Sequence, residues 1–193
     1  MLGYKVKDWA DNVEDVCNSK NFPLFKVARL HWSTPTVWHR TERLPTFDTD
    51  QPFLYALIDN HHRARQKDKI VYVGLTTNPK TRFGNHEKAI AIRDHKSETT
   101  FSYATIDFIK GRNRLERIES ALEEIENLLI WAIGDHLINE RKQFTLPGMG
   151  TNGANAWQIL NEGHRFSGRM PREIVYPWMI VKPGRDRSIK KTD

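Results

Sequence analysis

Tyr72-Val73-Gly74 is followed by Arg82, ten residues after the tyrosine, and by His86, four residues later. Upstream lies a second tyrosine, Tyr55, inside the apolar run Phe53-Leu54-Tyr55-Ala56-Leu57-Ile58. Downstream lie Glu126, in Glu126-Asn127-Leu128-Leu129-Ile130, and Asn139. Hydrolysis of a phosphodiester needs a group that takes a proton from water, positive charge against the phosphorane, and a stabilised leaving oxygen. Two phenols, a guanidinium, an imidazole, a carboxylate and an amide supply each of these. A phenol with a pKa near ~10 is a poor base until cations lower it. Arg82, Lys69, His86 or a metal ion are expected to do so here. Arginine suits the phosphate because its charge is permanent and its donors form a fork. At i and i+4, Arg82 and His86 are expected to share one helix face, with His86 assisting the base or donating to a phosphate oxygen. Glu126 intrudes on an apolar stripe containing Leu122, Leu129 and Ile130, where a carboxylate needs a partner such as a divalent ion. Glu119, two turns earlier, is the alternative, and Glu124 is expected to point away. Taken singly, each has an ordinary explanation: core tyrosines, a solvated helix face, a glutamate reaching water.

The elements that must position these groups divide the chain into three regions. Residues 1–50 open with an amphipathic helix carrying Val6, Trp9, Val13, Val16 and Cys17 on one face. Phe22 to Trp32 reads as a second short helix or a strand, and Pro35 and Pro45 break the chain beyond it. This region is expected to be a mainly helical extension. Residues 51–142 read as a compact core. Phe53–Ile58 and Ile70–Leu75 are strands that pair as an antiparallel hairpin across the long polar loop Asp59–Lys69. Asn78-Pro79 starts a helix running to about Asp94, Thr100–Ile109 is a third strand, and Asn113–Ile138 is the longest helix, with Leu115, Ile118, Leu122, Ile125, Leu129 and Ile133 on one stripe. The expected fold is α+β, a small three-stranded, mainly antiparallel sheet flanked by helices. Residues 143–193 bring a glycine-rich loop (Gly148–Gly153), a short helix near Ala156–Asn161, and an edge strand over Ile174–Val181 containing Pro177. They are expected to contact DNA or to dimerise.

Composition narrows the function classes. Net charge is +6 and the pI about 9.5, which suits a polyanionic partner. The excess is zero over residues 1–50, +2 over 51–142 and +4 over 143–193. The single Cys17 excludes an internal disulfide and a cysteine-rich zinc site. With no membrane-length apolar stretch and no signal-like start, a cytoplasmic protein is expected. His61-His62 lacks further ligands at suitable spacing and reads as a solvated loop or a phosphate contact. No Gly-Lys-Ser/Thr follows Gly148–Gly153, so that loop is not a phosphate-binding P-loop. Lys69, Lys80, Arg165, Arg169 and Arg172 are candidate phosphate contacts, set against ordinary surface charge. The basic tail Arg185 to Lys191 is as readily a frayed end.

The ordered set Tyr55, Tyr72, Arg82, His86, Glu126 and Asn139, over about residues 52–142, resembles the GIY-YIG nucleases. The segment around Glu126 is similar to that of bacterial excision-repair incision nucleases. The first motif, Phe53-Leu54-Tyr55, departs from the family in lacking its glycine, and valine replaces isoleucine in the second. The resemblance implies a Mg²⁺- or Mn²⁺-dependent endonuclease acting on double-stranded DNA. In it Tyr55 activates water with Tyr72 and His86 in support, Tyr72 remaining the alternative base. Arg82 binds the phosphate, Glu126 is the sole protein ligand of the ion, and Asn139 positions the site. A compact type II restriction endonuclease of a prokaryote or phage, working as a homodimer, fits the absence of a separate DNA-binding module. A phage, mobile-element or repair nuclease is the nearest alternative. Further off stand a non-catalytic nucleic-acid-binding protein on the same fold and a basic RNA-binding module.

Overall fold

Phe53–Asp59 is apolar at almost every position and covered on both sides, the pattern of a strand sandwiched between two layers. It forms the inner strand of a hairpin with Lys69–Thr76. The structure is a computed structural model and describes residue 13 and residues 25–59, 69–95, 99–108, 115–134, 136–143, 146, 155–166 and 170–176. The helix expected from Val6 to Cys17, His61-His62, Gly148–Gly153, Arg169, Pro177 to Val181 and the basic tail lie outside the described residues, Val13 excepted.

The strands are β1 (Lys26–Trp32), β2 (Thr36–Val37), β3 (Phe53–Asp59), β4 (Lys69–Thr76), β5 (Thr99–Phe108), β6 (Trp157–Gly163) and β7 (Glu173–Tyr176). The helices are α1 (Pro79–Gly84), α2 (Glu87–His95) and α3 (Leu115–Ile133). Among the described residues, seven strands join one sheet in the order β4-β3-β5-β1-β6-β7, with β2 on β5. Each of these pairings is antiparallel except β1 with β6, which is parallel.

This corrects the expected small three-stranded sheet flanked by helices. The three expected strands are β3, β4 and β5, one part of a mixed, curled seven-stranded sheet with few helices. Lys26–Trp32 takes the strand alternative, and Trp157–Gly163 is a strand where a helix was expected. The physical reason is range. β1 and β6 pair across well over a hundred residues, and half-polar runs such as Trp157-Gln158-Ile159-Leu160-Asn161 carry no local sign of that partner.

Alternation along β3 separates two apolar layers. Leu54, Ala56 and Ile58 pack with Leu122, Ile125 and Leu129 of α3. Phe53, Tyr55 and Leu57 pack with Trp38, Phe83, Ala89 and Ile92, under α1 and α2. The expected helix from Asn78 to Asp94 is two helices broken at Asn85-His86. Helix α3 ends at Gly134 (φ +88), whose N–H still reaches Ile130 O at 3.0 Å.

Glu124 fastens α3 to β6. Its carboxylate accepts from Trp157 Nε1 at 2.6 Å and from Asn155 N and Nδ2 at 3.1 and 3.0 Å. It was expected to point away. It does leave the α3 stripe, but toward these three donors. Glu124→Ala would strand all of them in a part-buried place and is expected to destabilise the fold by roughly 2–3 kcal/mol in chemical denaturation. Exposed Glu119, changed to alanine, is expected to stay within about 0.5 kcal/mol of the parent protein.

Candidate active site

Tyr55 and Tyr72 share one side of the sheet through the regular register of the hairpin, Tyr55 pairing with Gly74 and Leu57 with Tyr72. Below them Ile58 pairs with Ile70, so Val71 is an extra residue, a β-bulge. The bulge puts Ile70 in the α3 layer with Ile58, although Tyr72, two residues later, lies in the layer under α1 and α2. The two phenol rings stack with centroids 6.0 Å apart. Gly74 makes that possible. A Cβ there would lie 2.5 Å from Tyr55 Cζ and Oη, so any side chain would drive the ring off the strand.

Helix α1 is short and well started. Asn78 Oδ1 accepts from Thr81 N at 3.3 Å, and Pro79 occupies the first turn. Its Phe83 is buried edge-on to Tyr55, ring centroids 4.9 Å apart. Its Arg82 is exposed. Arg82 and His86 do not share a helix face, because the chain turns between them. His86 instead caps α2: its O accepts from Ile90 N at 2.9 Å and its Nδ1 from Ala89 N at 3.3 Å.

That cap sets the tautomer. With Nδ1 accepting, the proton of a neutral ring is on Nε2, which lies 2.7 Å from Tyr55 Oη. His86 therefore donates to Tyr55. Burial and the Arg82 charge lower the His86 pKa from 6.5 to about 4, so the ring is neutral at pH 7.

Burial raises the Tyr55 pKa well above its usual value, with Tyr72 adding to the rise and Arg82 opposing it. The Tyr72 pKa is raised chiefly by burial and then by the Glu126 carboxylate. Arg82, a hydrogen bond from Tyr55 and Lys88 lower it. Tyr55 has no accessible surface, whereas Tyr72 keeps 8 %. Tyr72 is thus the phenol that meets solvent. A third phenol, Tyr103, pairs with Tyr55 on β5 and is tied to the Asp48 carboxylate.

Glu126 lies on α3, on the other layer, and its charge acts on both phenols. Its carboxylate accepts from Lys142 Nζ at 2.5 Å, with the glutamate side chain 12 % exposed. Among the described residues no three His, Cys, Asp or Glu side chains converge on a metal position. The donor set fits an ion that takes one carboxylate and keeps most of its water, as Mg²⁺ does.

Asn139 does not face the phenols. Its Nδ2 donates to Val73 O at 2.7 Å and its Oδ1 accepts from Val73 N at 3.1 Å, closing the outer edge of β4. The other candidates lie apart. Lys69 opens β4 and is exposed. Lys80 is exposed and paired with Asp50 at 3.0 Å. Arg165 and Arg172 are exposed beside β6 and β7. Sequence reasoning missed Lys142, Lys88 and the service of Gly74 to Tyr55. Only Gly74 carried a signal, as the last member of the Tyr72-Val73-Gly74 motif. A surface cleft of about 500 Å³ lined by Trp38, His39, Arg40 and Arg93 includes none of the six residues.

No family model matches the chain, and no curated protein or solved structure matches it either. No helix among the described residues is long and apolar enough to cross a membrane.

The lowered pKa of His86 has a sign. The unfolded chain binds a proton near 6.5 and the folded chain near about 4. Stability from the neutral ring is complete above pH 6.5 and is lost as pH falls through that window, on the order of 3 kcal/mol in all. His86→Gln keeps an amide donor that can face Tyr55 and cannot titrate. Urea denaturation from pH 7 to pH 4 is expected to show a distinctly shallower loss for this variant than for the parent protein.

Proposed function

We propose that this protein is a divalent-metal-dependent DNA endonuclease of the GIY-YIG type, most simply a type II restriction endonuclease. The observation that carries the reading is the convergence of Tyr55, Tyr72 and His86 in contact, with the charges of Arg82 and Glu126 acting on both phenols. The likeness rests on these residues and not on the sheet, which is larger than the family's pattern implied.

Tyr72 is assigned as the group that takes the proton from water, since Tyr55 has no accessible surface. Behind it runs a line of donors: Ala89 N–H to His86 Nδ1, His86 Nε2–H to Tyr55 Oη, and Tyr55 to Tyr72. Each donor favours a phenolate at Tyr72, and the positive charges of Arg82 and Lys88 favour it too. Arg82 is exposed on α1 and binds the scissile phosphate through its fork of donors. Asn139 holds β4, and so Tyr72, in place through Val73. Glu126 would hold a divalent ion, which would supply charge against the phosphorane and offset the carboxylate that raises the Tyr72 pKa. Tyr72 lies on β4, at the edge of the sheet, and keeps some accessible surface. One site per chain makes a homodimer the natural unit for cutting both strands.

Cleavage of supercoiled plasmid and phage DNA with Mg²⁺ tests this. The parent protein is expected to give discrete fragments. Glu126→Gln is expected to lose at least about a thousandfold in rate, and Tyr72→Phe about a hundredfold or more. Tyr55→Phe, which loses a donor but no base, is expected to lose about tenfold. A dead Tyr55→Phe beside an active Tyr72→Phe would reverse the two phenols. Glu126-dependent nicking without discrete fragments would remove the restriction-enzyme reading, and equal cleavage by the parent and Glu126→Gln would remove the metal site.

A further inference from the structure

Lys142 stands where the proposed ion would bind. Its ammonium is 2.5 Å from Glu126 Oε2, and both side chains are partly buried, 33 % and 12 % exposed. Its backbone is unusual as well. With φ +70 it is the only non-glycine residue with a positive φ among the described residues, a conformation unfavourable for a long side chain. The strap that carries it is fixed to the β4 edge just before, through Ile138 N to Val71 O at 2.7 Å and the two Asn139–Val73 bonds. Gln143 Nε2 donates back to Leu137 O at 2.6 Å just after. The strap is thus held at both ends, and the strained residue between delivers its charge to the one carboxylate assigned to the metal.

We propose that Lys142 is a tethered cation that competes with the divalent ion for Glu126, so that metal loading displaces its ammonium. This rests on the reading of Glu126 as the metal ligand. A divalent ion on Oε2 would have to replace the ammonium, and one on Oε1 would still be repelled by it across the same carboxylate, so occupancy by one weakens binding of the other. Without metal, the ammonium keeps a partly buried carboxylate from standing unpaired beside the phenols. Metal affinity is then lower than the carboxylate alone would give.

The test is titration of Mn²⁺ into the metal-free full chain, followed by calorimetry and by the electron paramagnetic resonance of free Mn²⁺. The proteins are the parent, Lys142→Gly, Lys142→Arg, Lys88→Ala and Glu126→Gln. Glycine is relaxed at φ +70, so the first variant removes the charge and the strain without threatening the fold. Lys142→Gly is expected to bind Mn²⁺ about tenfold or more tightly than the parent. Lys142→Arg is expected to stay near the parent. Lys88→Ala, which removes an equal charge paired with Glu140 instead, is expected to change affinity less than about threefold. Glu126→Gln is expected to lose the site. Equal affinity of the parent and Lys142→Gly, with the site still lost in Glu126→Gln, would overturn the competition and keep the metal ligand. Absence of Glu126-dependent binding in both would overturn the metal reading and the competition together.

Discussion

β4 ends the sheet, so half of its backbone N–H and C=O groups have no strand to pair with. The rest of the site depends on how that edge is closed. Ile138 donates to Val71, and the Asn139 side chain offers Val73 both an acceptor and a donor, imitating one peptide unit of a further strand. Val71 is the bulged residue and Val73 lies between Tyr72 and Gly74. The closure therefore holds the two residues that flank Tyr72 on β4. It also threads the chain from α3 back across the sheet edge. A residue on one layer, Glu126, and one on the strap, Lys142, are thereby brought beside a cluster built on the other layer.

Within that frame, burial sets the resting state. It raises both phenols and lowers His86, so all three rings are neutral at pH 7. Charge is confined to the rim, to Arg82, Lys88, Glu126 and Lys142. The arrangement makes the phenols poor bases while the carboxylate stands near them, and better ones when its charge is cancelled. Donors are lined up behind Tyr72 from a helix N-terminus through an imidazole and a second phenol. With Nδ1 occupied by Ala89 N–H, the neutral ring carries its proton on Nε2. A ring in the other tautomer would present Nε2 without a proton and break the line.

Much of the hairpin was legible in the sequence because the signals are local. Phe53–Ile58 is an apolar run of strand length, Asn78-Pro79 is a helix start, and the α3 stripe repeats at helical spacing. The contact of Tyr55 with His86 was legible only as a residue set, since the helix meant to align Arg82 with His86 breaks between them. That break owes its stability to Nδ1 of His86 acting as a cap, which histidine does too rarely for sequence to announce. The larger sheet was illegible for a different reason. β1, β6 and β7 are short and half-polar, and what makes them strands is one another. Trp157, Gln158 and Ile159 read as a helix turn until Lys26, Val27 and Ala28 are laid beside them. Lys142 was hidden similarly, because a single lysine in a polar stretch has no pattern and its meaning comes from the Glu126 it reaches.

The added strands have a consequence for how a nucleic acid would be held. Had residues 143–193 been an appendage on a three-stranded core, Arg165 and Arg172 would move independently of Tyr72 and Arg82. They instead flank β6 and β7, which are hydrogen-bonded through β1 and β5 to β3 and β4. Four strand spacings separate β4 from β6, at most about 19 Å along the curled sheet. Glu124 pins β6 to α3, the helix that carries Glu126 only two residues later. Phosphate contacts made at the β6–β7 end would thus be registered on the proposed cleavage site through a continuous sheet and a single helix. A nuclease that must place one phosphate against one phenol gains accuracy from that connection, because a shift at the recognising end cannot be absorbed by a linker.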